Sequence, residues 1–115
     1  MHPDEIAEAV TVLKNSGKIK VFGVSNFTTS QMELLSNRIT LESNQIEFSL
    51  TQHKAMHDGT LDYMLQKNIN VMSWSPLGFV FKEDNEQTQR IKLVLKQLSH
   101  KNNSSEDSIL LKWIL

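Results

Sequence analysis

Three short stretches of the chain set side chains capable of specific chemistry at the ends of strand-like segments. The first is Lys20-Val21-Phe22-Gly23-Val24-Ser25-Asn26-Phe27, a short buried strand that stops at two small polar residues. Val21, Phe22 and Val24 suit a pleated, buried segment. Ser25 and Asn26 offer a hydroxyl, an amide donor and an amide acceptor, a set suited to a planar amide or carbonyl. In parallel α/β folds ligands bind at the ends of strands, where loops and helix N-termini present polar groups. The second stretch is Asn44-Gln45-Ile46-Glu47-Phe48, in which Gln45 and Glu47 share one face and Asn44, Ile46 and Phe48 the other. Polar side chains inside a closed sheet are costly unless paired. Their presence marks either a strand end that lines a site or a solvated sheet face. The third stretch is Trp74-Ser75-Pro76-Leu77-Gly78. An aromatic residue at a strand end serves either as rim packing or as a stacking platform.

Other candidates for chemistry are weaker. His53 and His57 lie four apart with Asp58 adjacent, but they do not form H-E-x-x-H and have no evident third ligand. No metal site is expected. His2 and His100 read as solvated surface residues, and Glu83, Asp84 and Glu86 as an exposed loop. Read on their own, Ser25 and Asn26 are a loop leading into a helix.

Composition narrows the function classes. A length of 115 residues is one domain's worth, and 39% hydrophobic with 22% charged residues excludes wholesale disorder. A formal net charge of −1 gives no basis for a nucleic-acid or anionic-membrane partner. The chain has no cysteine, hence no disulfide framework and no thiolate nucleophile. No apolar run approaches a membrane span. The acidic start Met1-His2-Pro3-Asp4-Glu5 is unlike a signal peptide, so a cytoplasmic protein is expected.

The elements that must position these residues follow from periodicity. Pro3 suits a first helical turn, Asp4 and Glu5 complement its dipole, and Ile6, Ala9, Val10 and Leu13 recur at helical spacing up to a Gly17 cap. A strand over 20–24 comes next. Thr28 and Gln31 then have capping-box spacing for a helix with Met32, Leu34 and Leu35. A strand over 42–48 precedes an irregular stretch and a helix opened by Asp58-Gly59-Thr60, with Leu61, Met64 and Leu65 as its stripe. The third strand covers 69–74. A loop over 77–89 encloses the apolar knot Phe79-Val80-Phe81, after which Ile91, Leu93, Val94, Leu95 and Leu98 mark a fourth helix. Ser104 caps a fifth, with Ile109, Leu110, Trp113 and Ile114 facing inward. Strands alternating with helices predict parallel pairing. Three such strands leave two open edges, as in a piece of a larger α/β domain.

The motifs resemble those of the aldo-keto reductases. Ser16-Gly17-Lys18-Ile19-Lys20 through Phe27 resembles the family's segment around its fifth strand, and Asn44-Gln45-Ile46-Glu47 its sixth-strand motif. Ser73-Trp74-Ser75-Pro76-Leu77-Gly78 resembles the seventh, in the form of bacterial members with Trp before S-P-L-G. Ser104 to Leu115 is similar to the helix that runs up to the eighth strand. The resemblance implies an α/β chain forming a partial (β/α)8 TIM barrel, with three parallel strands equivalent to strands 5–7 and flanking helices. Residues 1–115 would then be an incomplete domain lacking strands 1–4 and strand 8. It also implies an NADP(H) cofactor and a small carbonyl substrate. Ser25, Asn26 and Gln45 would hydrogen-bond the nicotinamide carboxamide, Trp74 would stack on the ring, and Ser75 and Leu77 would approach the pyrophosphate.

The departures from the family pattern are as informative. Aldo-keto reductases catalyse with an Asp, a Tyr, a Lys and a His on earlier strands, and Met1 lies past all four. Tyr63, the single tyrosine, sits mid-helix and does not match the catalytic position. Phe79-Val80-Phe81 stands where some relatives carry further glycines, which hinders close approach of backbone to phosphate. The expected reading is a piece of an NADP(H)-dependent carbonyl reductase that carries the nicotinamide side of the site and no catalytic residue. The alternative is a non-catalytic barrel remnant that associates with itself or with another subunit through its open sheet edges, as an association or structural module.

Overall fold

A computed structural model of the chain describes residues 2–115. In chain order it contains α1 (Pro3–Asn15), β1 (Gly23–Ser25), α2 (Thr29–Ser36), β2 (Ser43–Glu47), a 3-10 turn (Lys54–Met56), α3 (Thr60–Gln66), β3 (Asn70–Trp74), α4 (Glu86–Asn102) and α5 (Glu106–Ile114). The strands are parallel and pair in the order β1-β2-β3. Gly23 faces Ser43, Val24 faces Asn44 and Ser25 faces Gln45. Gly23 is required by this approach, because a β-carbon there would lie 2.2 Å from Ser43 Oγ. The sheet is thus partial and open. Two compact units share the chain: Met1–Ile46 with Ala55–Met72, and Glu47–Lys54 with Ser73–Leu115.

The first unit buries Met32, Leu35, Leu41, Met64 and Ile69, with Ile6, Phe22, Val24, Phe27, Ile39 and Tyr63 packed against them. Each fully buried side chain of this size contributes about 1.5–3 kcal/mol of transfer free energy. The capping box at Thr28 forms as the spacing predicts: Gln31 N–H donates to Thr28 Oγ1 at 3.3 Å, and Thr28 N–H to Gln31 Oε1 at 2.9 Å. Gly17 takes the left-handed conformation that closes α1, with φ +70°. The structure corrects two expectations in this unit. The first strand begins only at Gly23, and Val21 is 61% exposed, because only the last residues of the predicted run reach the β2 register. Leu65 is 80% exposed, since the inward arc of the short α3 runs through Thr60, Tyr63 and Met64 rather than Leu61, Met64 and Leu65. His2 is exposed, as expected of a surface residue, and also caps α1: its Nδ1 accepts from Asp4 N–H at 3.4 Å, and its own N–H donates to Glu5 Oε2 at 3.3 Å.

The second unit buries Val80, Leu95 and Leu110, against which Leu50, Leu77, Ile91 and Ile109 pack. The apolar knot 79–81 therefore serves as core through Val80, whereas Phe81 remains exposed. Helix α4 starts at Glu86, so residues 86–89 are helical and not loop as the sequence predicts. The cause is a capping box built from Asn85 and Thr88: each backbone N–H donates to the other's side-chain oxygen at 3.0 Å. The Thr88 side chain is fully buried. Ser104 does not cap α5; Ser105 holds that position, and Ser104 N–H donates to Ser99 O to close α4. Trp113, predicted to face inward, is substantially exposed, as are Leu93, Val94 and Leu98 among the residues that mark α4. The Trp113 ring meets Phe48 with centroids 5.7 Å apart.

The Asp4 carboxyl is held below its ordinary pKa, chiefly by the hydrogen bond from Arg38, with the charges of Arg38 and His2 adding to it. A lowered native pKa contributes stability above the unfolded value of ~3.9, and that contribution disappears as pH falls through the native value. Arg38→Gln is therefore expected to lower the thermal midpoint at neutral pH. The gap to the parent should close in acid, as followed by circular dichroism across a pH series.

Candidate cofactor site

The polar end of β1 is assembled by main-chain bonding before any side chain reaches outward. Asn26 N–H donates to the carbonyl of Gln45 at 2.8 Å, and Ser25 Oγ donates to the same oxygen at 3.1 Å. Three of the predicted contacts, Ser25, Asn26 and Gln45, are thereby gathered at one place, all of them exposed. While the Ser25 hydroxyl donates to Gln45 O, its oxygen keeps lone pairs with which to accept from a ligand. Asn26 adopts φ +56°, a left-handed conformation that asparagine tolerates better than most residues. A hydroxyl acceptor beside two carboxamide side chains fits a planar carboxamide, which presents two N–H donors and one carbonyl acceptor.

Asn44, one residue along from Gln45, holds this arrangement from beneath and is fully buried. Its Nδ2 donates to Phe27 O at 2.9 Å and lies 3.3 Å from Met32 Sδ, while its Oδ1 accepts from Phe27 N–H at 3.3 Å. The side chain thus satisfies both main-chain groups of the residue that follows Asn26. Sequence reasoning places Asn44 on the same face of β2 as Ile46 and Phe48 but assigns it no role. The available signal is an asparagine alternating with Ile46 and Phe48 on a buried face, where an amide needs partners.

The other predicted contacts, Trp74, Ser75 and Leu77, lie at and just beyond the end of β3, in the second unit. Trp74 is 36% exposed. Ser75 has φ +50°, and its carbonyl accepts from Gly78 N–H at 2.8 Å, which makes 75–78 a tight turn. Leu77 packs its side chain against the Val80–Leu95–Leu110 core, so any ligand contact from it is through the main chain. Gly78 combines φ +57° with a backbone so close to Thr51 that a β-carbon would lie 2.0 Å from Thr51 Oγ1. Ser75 and Gly78 line a cleft of about 200 Å³ together with Ser49, Thr51, Gln52 and Lys82. The hydroxyls are ordered there: Ser49 Oγ and Thr51 Oγ1 are 3.3 Å apart, and Phe79 N–H donates to Thr51 Oγ1 at 3.3 Å. Sequence reasoning missed Ser49, Thr51 and Lys82, which fall in segments that carry no periodic pattern.

Other candidates do not assemble. Among the described residues no group of three or more His, Cys, Asp or Glu is placed to hold a metal ion. His53 Nδ1 lies 3.1 Å from Leu50 O. Tyr63 lies on α3 against the first core, its Oη buried without a hydrogen-bond partner, and Lys67 Nζ stands 5.9 Å from its ring centroid. No helix among the described residues is long and apolar enough to cross a membrane.

With the geometry established, the chain can be set beside known proteins. The sequence profile of the Aldo/keto reductase family matches residues 1–115. The Bacillus subtilis oxidoreductase YcsN is 38% identical over 119 residues, a match covering 99% of this chain and 40% of the relative. The Escherichia coli oxidoreductase YdhF is 40% identical over 121 residues, covering all of this chain and 40% of the relative. The NADPH-dependent alpha-keto amide reductase of Saccharomyces cerevisiae is 33% identical, with 89% of this chain and 33% of the relative matched. Among solved structures, a thermostable aldo-keto reductase in complex with the inhibitor epalrestat superposes with a TM-score of 0.83. It is 20% identical, and the match covers 98% of this chain and 40% of that one. The chain belongs to the aldo/keto reductase family. Its open three-stranded sheet has the fold of part of the family's barrel. It spans about two fifths of the length of these two bacterial relatives.

Asn44→Ala removes the partner of both Phe27 main-chain groups and leaves a cavity beside Met32. A loss of roughly 2–4 kcal/mol in unfolding free energy is expected, as buried groups are left unpaired and packing is lost. Urea unfolding followed by circular dichroism measures it.

Proposed function

We propose that this chain supplies the nicotinamide side of the cofactor site of an NADP(H)-dependent carbonyl reductase and contributes no catalytic residue of its own. The observation that carries the reading is the pairing of Ser25 and Asn26 onto the Gln45 carbonyl, which leaves a hydroxyl acceptor and two carboxamides together at one strand end. NADPH supplies a hydride, which with a proton converts a carbonyl to an alcohol. Ser25 Oγ accepts from the carboxamide nitrogen of the nicotinamide, and Asn26 and Gln45 provide the complementary donor and acceptor. Trp74 offers its ring as a stacking face, fixing which side of the nicotinamide is presented. Ser75 and the main chain at Leu77 serve the pyrophosphate. Lys82, lining the same cleft as Ser75, adds a cation suited to phosphate. Family membership and the NADPH-dependent yeast relative support NADP(H) as the cofactor.

General acid catalysis of carbonyl reduction contributes typically ~10²–10⁴-fold, and in this reading the acid lies outside the chain. Tyr63, on α3, is packed against the core with its hydroxyl buried, which fits a structural rather than a catalytic tyrosine.

The test replaces the matched segment of YcsN with this chain. The chimera is expected to bind NADPH, and Gln45→Ala to weaken binding about 10–100-fold, the equivalent of one or two lost hydrogen bonds. The 115-residue chain alone is expected to show no NADPH oxidation with any aldehyde. Steady turnover by the pure chain would refute the reading, as would unchanged NADPH affinity in the Gln45 variant.

A further inference from the structure

We propose, on the basis of the cofactor reading above, that the Thr51 hydroxyl is a further phosphate contact. It donates its proton into the cleft that Ser75, Gly78 and Lys82 line, and Ser49 aims it. Every residue involved lies in the second unit. Ser49 Oγ accepts from Gln52 N–H at 3.0 Å, and Thr51 Oγ1 accepts from Phe79 N–H at 3.3 Å. The two oxygens are 3.3 Å apart, so one hydroxyl donates to the other. Two hydroxyls carry two protons, and that bond uses one of them. Among the described residues neither hydroxyl has another acceptor, so one proton is left without a protein partner.

Burial decides which proton that is. Ser49 is 1% exposed, whereas Thr51 is only half-buried and lines the cleft. An unmade hydrogen bond costs most where water cannot replace it. Ser49 therefore donates to Thr51 Oγ1, and the Thr51 proton is the one left for a ligand. The ligand must present an acceptor, and the neighbouring charge selects an anionic one. Lys82 lines the same cleft and forms no ion pair among the described residues. An ammonium beside a hydroxyl donor suits a phosphate oxygen, since hydrogen bonds to charged acceptors are the stronger kind. The one acid on the cleft wall, Glu47, is exposed, where water and salt screen its charge. The same hydroxyl also fastens the 75–79 turn through Phe79 N–H, and Gly78 lets that turn come close to it.

The test measures the affinity of the YcsN chimera for NADPH and for 2′-phospho-ADP-ribose, which keeps the phosphates and lacks the nicotinamide. Thr51→Val is expected to weaken both by the same factor, about 10-fold, as one hydrogen bond to a charged oxygen is lost. Thr51→Ser keeps the hydroxyl and should restore both to within about twofold. Lys82→Ala, a change at an exposed side chain, should weaken both by roughly three- to tenfold. An unchanged affinity for 2′-phospho-ADP-ribose in Thr51→Val or Lys82→Ala would overturn the proposal, and so would Thr51→Ser binding as weakly as Thr51→Val. Gln45→Ala separates the two readings, because it should weaken NADPH alone. If Gln45→Ala weakens NADPH while Thr51→Val changes neither ligand, the Thr51 contact fails and the carboxamide reading stands. If Thr51→Val weakens both while Gln45→Ala changes neither, the carboxamide reading fails and the Thr51 contact stands. A chimera that binds neither ligand overturns both.

Discussion

The arrangement at the end of β1 depends on one buried carboxamide. Asn44 closes both main-chain groups of Phe27, and the carbonyl of its neighbour Gln45 takes the Asn26 N–H and the Ser25 hydroxyl. Two consecutive residues of β2 thus hold three consecutive residues of the β1–α2 junction. The Thr28 capping box begins helix α2 at the next position, so no residue between strand and helix is left without a fixed place. Exposed side chains on a junction fixed this way lose little freedom when they meet a ligand, which is the advantage of preorganisation.

The end of β3 repeats the device with different chemistry. Asn26 follows β1 and Ser75 follows β3, and both take left-handed backbone conformations that cost non-glycine residues free energy, of order 1–3 kcal/mol where the region is sparsely populated. Asparagine offsets part of this locally. Serine does so less well, and the Gly78 N–H bond to its carbonyl restrains the turn. Gly78 in turn exists because Thr51 and Ser49 occupy the space a side chain would need. Asn68 and Asn103 take the same conformation just past helices α3 and α4.

Much of the fold was legible because its determinants are local. Thr28 with Gln31, Pro3 with Gly17, and the alternation of Gln45 and Glu47 against Asn44, Ile46 and Phe48 each act within a few residues, and all three appear as read. The start of α4 was missed because Asn85 and Thr88 form a capping box with threonine in the usual place of Glu or Gln, inside a stretch that looks like polar loop. The exposure of Val21, Leu65 and Trp113 was missed because periodicity identifies an apolar residue but not whether a neighbouring element covers it. Family motifs pointed to Ser25, Asn26, Gln45, Trp74, Ser75 and Leu77. What they did not reveal was the support beneath: Asn44 acts on Phe27 from 17 positions away, and Thr51 on Phe79 from 28.

The central claim is that Ser25, Asn26 and Gln45 recognise a carboxamide. The most direct measurement compares the affinity of the YcsN chimera for NADPH with that for its 3-acetylpyridine analogue, which keeps the carbonyl and lacks the N–H donors. With its hydroxyl donating to Gln45 O, Ser25 Oγ meets a ligand as an acceptor, so losing the donor removes that contact, and NADPH should bind roughly 10-fold or more tightly. Equal affinities would contradict the account, because nothing at the strand end would then be reading the carboxamide nitrogen.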